Sequence, residues 1–329
     1  MKFLSAKGRQ VLAISIVALM FVAMLGLVGC GGGGDEAAPA DDAAAAAEEA
    51  AEAEPVAIDT EAYDALIASG PVASDEAIAS SEWATAIKEA GTMRVGGVQT
   101  SALFSLLNEV DGVDRGMDAG LFQLLTRYIL GDETAYQLTQ VTSDTRESVL
   151  QNNQVDAVFA TYSITPERQE LISFAGPYFI ARQAILVKAD NTDINGVDDL
   201  AGKNVAVQSG STGPGIVEEY APEAIQQEFS TDEEARTALE QGRVDAYVID
   251  ETMQAGSIIK APGKYKIVGE PFGPEDPYGI GLPLDSDGVE FVNGFLKQIE
   301  EDGTWADLWK ITIGDRTGQE TAPEPPAIG

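Results

Sequence analysis

Between Gly91 and Gly314 the chain alternates short, nearly continuous apolar runs with stretches of helical spacing. "MRVGGV", "VDAVFAT", "QAILVKA", "NVAVQ", "DAYVID" and "YGIGLPL" read as strands, and "AGLFQLLTRYIL" and "FVNGFLKQIEEDG" as helices among them. That alternation predicts an α/β fold. At about 225 residues the segment exceeds the usual length of one domain, so two lobes are expected. Ahead of it, residues 61–90 keep helical spacing in parts and end in "SSEWATAIKEAG", where Ser81 is placed to cap a helix and Gly91 to stop it.

An internal repeat supports the division into lobes. "LQNNQVDAVFAT" (residues 150–161) and "LEQGRVDAYVID" (residues 239–250) share a leucine, then Val-Asp-Ala at the same offset, then an apolar strand. Thr161 and Asp250 end the two copies at matching positions. Ligands of open α/β sheets bind outside the carboxyl ends of the strands, so each lobe would present one polar residue there, a hydroxyl and a carboxylate. Val-Asp-Ala is also simply a common way to begin a strand.

In "TYSITPERQELISFAGPY", Thr165, Pro166 and Glu167 are an N-cap, a first-turn proline and a favourable acid, yet Arg168 follows in the same turn. A cation at that end is disfavoured by roughly 0.3–1 kcal/mol. Either a surface pair with Glu167 or Glu170 offsets it, or the arginine and the helix start bind an anion together. A second anion-binding candidate is "KNVAVQSGSTGPG", a strand followed by a glycine-rich turn carrying Ser211 and Thr212. The lysine of a phosphate-binding P-loop is missing from it.

Composition narrows the chemistry. Cys30 is the only cysteine and there are no histidines, so disulfides, Cys–His and Ser–His–Asp nucleophile systems and histidine metal sites are excluded; no cofactor, metal or catalytic residue is expected. A formal net charge of −34 argues against nucleic acid as a partner. The N-terminus supplies a location: Lys2, Lys7 and Arg9 precede an uncharged apolar run from Val11 to Gly29, the n- and h-regions of a signal peptide. A permanent N-terminal membrane helix is the other reading, and both put the rest of the chain outside the cytoplasmic membrane. Residues 30–60, mostly Gly, Ala, Asp and Glu with two prolines and no aromatic, have the composition of a disordered acidic tether. Residues 316–329 read as a loose tail.

Two resemblances sharpen these expectations. Leu27-Val28-Gly29-Cys30 resembles the lipobox of bacterial lipoproteins, which implies cleavage after residue 29 and a palmitate-type lipid anchor on Cys30. From about Ser81 to Gly314 the chain resembles the extracellular solute-binding proteins of family 3, the polar amino-acid receptors of ABC importers. "EWATAIKEAGTMRVGG", "RGMDAGLFQLL", "TSDTRESVLQNNQVDAVFATYSITPERQELISFAGPYF", "DLAGKNVAVQSGST", "LEQGRVDAYVID" and "PYGIGLPLDSDGVEFVNGFLKQIEEDGTWADLW" carry the likeness in order.

The resemblance implies a two-lobed, periplasmic-binding-protein-like (type II) fold with two crossover strands, closing on its ligand like a hinge. Lobe I would be residues 91–181 plus 278–315, and lobe II residues 182–277. By similarity Arg168 would pair with the α-carboxylate of an amino acid, with backbone donors at Ser163 and Thr212 assisting, while Asp250 and Thr161 would take the α-ammonium. Ser143 and Arg146 match positions that meet the distal carboxylate in acidic amino-acid receptors; otherwise Arg146 is a surface residue of its helix. Ser101 stands where many members carry an aromatic lid, with Phe104 as a substitute.

The implied function is a lipid-anchored extracytoplasmic receptor that delivers glutamate or aspartate to a permease with a cytoplasmic ATPase. The alternatives are a receptor for glutamine or another polar amino acid, a ligand-sensing surface protein, and a cyclohexadienyl-dehydratase-like enzyme on the same fold.

Overall fold

The computed structural model describes residues 56–329, so the signal-peptide pattern, Cys30 and most of the 30–60 tether lie outside the described residues. Three short helices come first: α1 (Thr60–Ser69), α2 (Asp75–Ala79) and α3 (Glu82–Ala90), each capped by a side chain, from Asp59, Ser74 and Ser81. Gly91 ends α3 in the left-handed region, its N–H on Ile87 O. Then follow β1 (Met93–Gly97), β2 (Thr100–Ser101), β3 (Ser105–Leu107), β4 (Asp114–Arg115), α4 (Met117–Leu130), β5 (Tyr136–Gln140), α5 (Arg146–Gln151), β6 (Ala157–Ser163) and α6 (Pro166–Gln169). The long β7 (Ser173–Lys188) leads to β8 (Asn204–Gln208), α7 (Gly213–Tyr220), β9 (Ile225–Phe229), α8 (Asp232–Glu240), β10 (Ala246–Asp250) and α9 (Glu251–Lys260). The slightly longer β11 (Tyr265–Leu282) returns, and α10 (Gly288–Glu301), α11 (Thr304–Trp309), a π-helical turn (Lys310–Gly314) and α12 (Asp315–Thr317) follow.

Eight strands form one sheet in the order β5-β1-β6-β11-β7-β10-β8-β9, with β2-β3-β4 as a small separate sheet. β1 runs parallel to β5 and β6, and β8 parallel to β9 and β10. β7 and β11 are antiparallel and pair from Ser173 opposite Leu282 to Lys188 opposite Tyr265. One half of this ribbon meets β6, through Tyr278 and Ser163; the other meets β10, through Gln183 and Asp250. Between the halves the ladder is interrupted, with register shifts from Val268 to Phe272 and from Phe272 to Asp276.

Each half-sheet has its own core, which makes the molecule two-lobed. In lobe I, α4 is buried nearly all round and packs with Phe159, Tyr278, Phe295, Trp305 and Trp309. In lobe II the strands are covered on both faces: Ile185, Val187, Val205 and Val248 look one way with Val217, while Leu186, Ala206 and Tyr247 look the other with Leu239. A period of two on strands buried on both sides explains why these runs read as continuously apolar. The last residues, expected to be loose, carry no helix or strand but are held against lobe I. Gly329 N donates to Gly176 O at 3.2 Å, Asn293 Nδ2 donates to Gly329 O, and Ile328 packs on the core. Among the described residues no helix is long and apolar enough to cross a membrane.

Candidate functional site

A cavity of about 270 Å³ lies between the lobes at the carboxyl ends of the strands, reached by Gln140 of β5, Ala160, Thr161 and Ser163 of β6, Gln208 of β8 and Asp250 of β10. Nine of its twenty lining residues are Ser or Thr and none is aromatic, which suits a small polar ligand better than an apolar one. Ser101, Ser143, Arg146, Thr161, Ser163, Ser211, Thr212 and Asp250 all line it. Arg168 and Phe104 do not.

The cationic wall is Arg146, the first residue of α5. It is 3% exposed, so it is not a surface residue of its helix. Its guanidinium lies 4.0 Å over the Tyr162 ring, and Nη1 donates to Ala160 O at 3.1 Å. Nε is buried without a hydrogen-bond partner. Burial, and then the neighbouring Arg168 charge, pull its pKa down to about 10.

Arg168 stands behind this wall. Its helix α6 is a single turn, N-capped by Thr165 Oγ1 on Arg168 N at 3.3 Å. The charge is offset by neither Glu167 nor Glu170. Nη1 donates to Ser163 O at 2.8 Å, Nη2 donates to Gly210 O at 2.9 Å, and the nearest carboxylate is Glu147, 3.7 Å from Nε. The sequence placed this arginine in the cleft because its position in the motif is clear; the acceptors that turn it aside are backbone carbonyls, which no motif reports.

The anionic wall is Asp250, at the end of β10 and 6% exposed. Gln183 Nε2 donates to its Oδ1 and Tyr278 OH donates to its Oδ2 at 2.6 Å, one partner from each crossover strand. Burial and the neighbouring carboxylate of Asp276 push its pKa up to about 7. Thr161 sits opposite in the left-handed region at φ 42°, its N–H held by Asp118 Oδ2 at 2.8 Å. Asp118 is itself buried and accepts Tyr178 OH at 2.5 Å; burial pushes it up to about 6. A non-glycine residue held at positive φ beside a cavity is strain of the kind found at binding sites.

The glycine-rich turn brings the lobes together. Ser211 Oγ donates to Gln208 O at 2.7 Å and accepts Gly213 N, so it stabilises the turn. Thr212 caps α7 without a side-chain bond to the helix, and its hydroxyl goes to Asp276 instead. Gly210, at φ 68°, comes so close to lobe I that a Cβ there would lie 2.5 Å from Asp144 Oδ1 and 2.9 Å from Ser143 C. Ser209 Oγ donates to Asp144 Oδ2 at 2.6 Å, and Gln208 Nε2 donates to Ser143 Oγ at 3.3 Å. With these bonds spanning the cleft, the lobes are closed.

Phe104 is fully buried, edge-on to Phe179 and Tyr278 at 5.4 and 5.8 Å, and so is a core residue, not a lid. Ser101 faces Met253 of α9, its Oγ 3.5 Å from the sulfur, and Met253 covers the cavity where a ring was expected. The sequence reading missed Gln183, Tyr278, Asp276 and Asp118. Asp118 and Tyr278 lie in segments that carry the family likeness, "RGMDAGLFQLL" and "PYGIGLPL", which was the available signal; nothing marked Gln183 or Asp276.

The profile of "Bacterial extracellular solute-binding proteins, family 3" matches residues 93–313. The chain is 36% identical to the ABC transporter glutamine-binding protein GlnH of Bacillus subtilis over 220 residues, 66% of this chain and 80% of that one. It is 32% identical to the glutamate-binding protein GluB of Corynebacterium glutamicum over 238 residues, 69% and 80% of the two chains. Among solved structures it resembles an ancestral arginine-binding protein bound to glutamine, at TM-score 0.62 and 34% identity over 68% of this chain and 98% of that one. All three are named for binding and none for a reaction.

Proposed function

This chain belongs to the bacterial extracellular solute-binding proteins, family 3, and from that premise we propose that it receives a polar amino acid between its lobes outside the cytoplasmic membrane and hands it to an ABC importer. The observation that carries the reading is one hydroxyl-rich cavity between the lobes whose wall holds a guanidinium, Arg146, and, buried opposite, the Asp250 carboxylate, with Asp232 and Glu233 as further acids in its lining. A zwitterion with a polar side chain supplies the complement to each. Asp250 and Thr161 receive the ammonium, and the backbone at Ser163 and Thr212 with Arg168 behind it serves the α-carboxylate. Arg146, whose buried Nε lacks an acceptor, takes a distal carboxylate, which favours glutamate or aspartate.

A second ligand, glutamine, is favoured by Asp232 and Glu233, which line the same cavity and would accept from an amide NH₂ but repel an acid. Calorimetric titration of the full-length protein with all common amino acids tests the reading. Glutamate or aspartate tighter than glutamine supports the acid, the reverse supports the amide, and binding of no amino acid removes both. We also propose a lipid on Cys30 as the membrane anchor; lipid labelling that persists in Cys30→Ala would refute it.

A further inference from the structure

Asp276 lies on the crossover strand β11, where the ladder to β7 resumes after its second interruption, and is 8% exposed. It does not line the cavity. Its Oδ2 nevertheless accepts two hydroxyls that do: Ser163 Oγ at 3.1 Å from lobe I and Thr212 Oγ1 at 2.9 Å from lobe II. One oxygen on the hinge thus holds a group from each lobe, an arrangement possible only while the lobes are together.

We propose that Asp276 is a positioning residue that latches the closed form and fixes the hydrogen-bond direction of the two hydroxyls. A carboxylate only accepts, so Ser163 and Thr212 spend their single protons on it; Thr212 Oγ1 also accepts Gln183 Nε2 at 3.4 Å, and the lone pairs left on the two hydroxyls are what they can offer a ligand. They therefore present acceptors, suited to a ligand ammonium, and leave the ligand carboxylate to backbone N–H groups and arginine. The directional part rests on the amino-acid reading above; the latch does not.

Full-length protein is compared with Asp276→Ala, Asp276→Asn, Thr212→Val and the Asp276→Ala/Thr212→Val double variant. Hydrogen exchange of residues 140–146 and 208–213, which face each other across the cleft, should quicken by about tenfold or more in Asp276→Ala without added amino acid. Affinity for the amino acid found by titration should fall about tenfold or more, and Asp276→Asn, which keeps an accepting oxygen, should restore most of it. Because Asp276 acts through Thr212, the double variant should bind little worse than the worse single one.

Unchanged exchange, strictly additive losses, or Asp276→Asn as weak as Asp276→Ala would each overturn the proposal. If the wild type binds no amino acid, the functional reading fails while the exchange comparison still decides the latch. If Asp276→Ala does not fold, a Ser163→Ala/Thr212→Val pair removes both donors, leaves the carboxylate in place, and carries the same exchange test.

Discussion

Arg168 of α6 and Gly210 of the loop after β8 are joined across the cleft, Nη2 to O at 2.9 Å, with Arg146 Nη2 on the same carbonyl at 3.5 Å. Both arginines belong to lobe I and the carbonyl to lobe II, so one of the bonds that close the lobes is between a cation and a backbone dipole. That approach requires a glycine at 210. Gly210→Ala should lower stability modestly through the left-handed backbone, by about 1–2 kcal/mol in either lobe arrangement. It should cost affinity separately, by about tenfold or more, because the methyl meets Asp144 only in the closed form. Calorimetry and thermal melts separate the two effects; wild-type affinity in this variant would mean that binding does not need the closure seen here.

Arg146 decides selectivity if its unpartnered Nε serves a distal carboxylate. Arg146→Gln should then weaken glutamate binding by about a hundredfold while changing glutamine by about tenfold or less, since a charge-assisted bond is lost only with the acid. Competition titrations give the ratio. An equal loss for both would make Arg146 a support for Tyr162 and Ala160 O, not a ligand contact.

Burial, and then the carboxylate of Asp276, push the Asp250 carboxyl up to about 7 in the folded protein from an ordinary value of 3.8. Between those values the folded state keeps a proton that the unfolded chain has lost, so the stability contributed by this group is complete below about pH 4 and is lost as pH rises through 7. Asp276, Arg146, Arg168 and Tyr278 act on this site, and the two carboxyls titrate as a pair. The Tm advantage of wild type over Asp250→Asn, measured without amino acid, should therefore shrink from pH 4 to pH 7. A ligand ammonium needs the ionised carboxylate, so binding at pH 6 should release protons. Binding heats that do not change with the ionisation enthalpy of the buffer would count against an ammonium at Asp250.

Asp118 holds the strained backbone of Thr161 and the Tyr178 hydroxyl from beneath the site. Asp118→Ala leaves a backbone N–H and a buried phenol without their acceptor, a loss of about 1–3 kcal/mol. Urea unfolding should show a lower midpoint at an unchanged slope, and ligand affinity should fall with it. If stability is retained and only affinity drops, Asp118 belongs to the site and not to its foundation.

The strands and helices were legible because their signals are local. Ser81 and Gly91 cap and close α3 as their residue types dictate, and the Val-Asp-Ala repeat located Asp250 at the end of β10 and Thr161 near the end of β6, which runs two residues further, to Ser163. The fate of Arg168 was not legible: its partners are the carbonyls of Ser163 and Gly210, and carbonyls are the same at every position. Phe104 misled because a ring near the first strand reads alike as a lid or as core until Phe179 and Tyr278 are seen against it. Asp276 escaped notice because its importance comes from two hydroxyls, 113 and 64 residues away in the chain.

The crossover ribbon has a consequence for the order in which the chain can fold. Lobe II is one continuous stretch between β7 and β11, whereas lobe I is split, and β11 reaches β6 only after about a hundred intervening residues. Residues made early in synthesis, including β1, β6 and α4, must wait with their apolar surface uncovered until Tyr278 to Leu282 emerge to fill the centre of their sheet. Long-range pairing of that kind is slow to form and exposes edges meanwhile. Lobe I therefore cannot complete its sheet until most of the chain has been released, whereas lobe II, continuous between β7 and β11, has its strands together earlier.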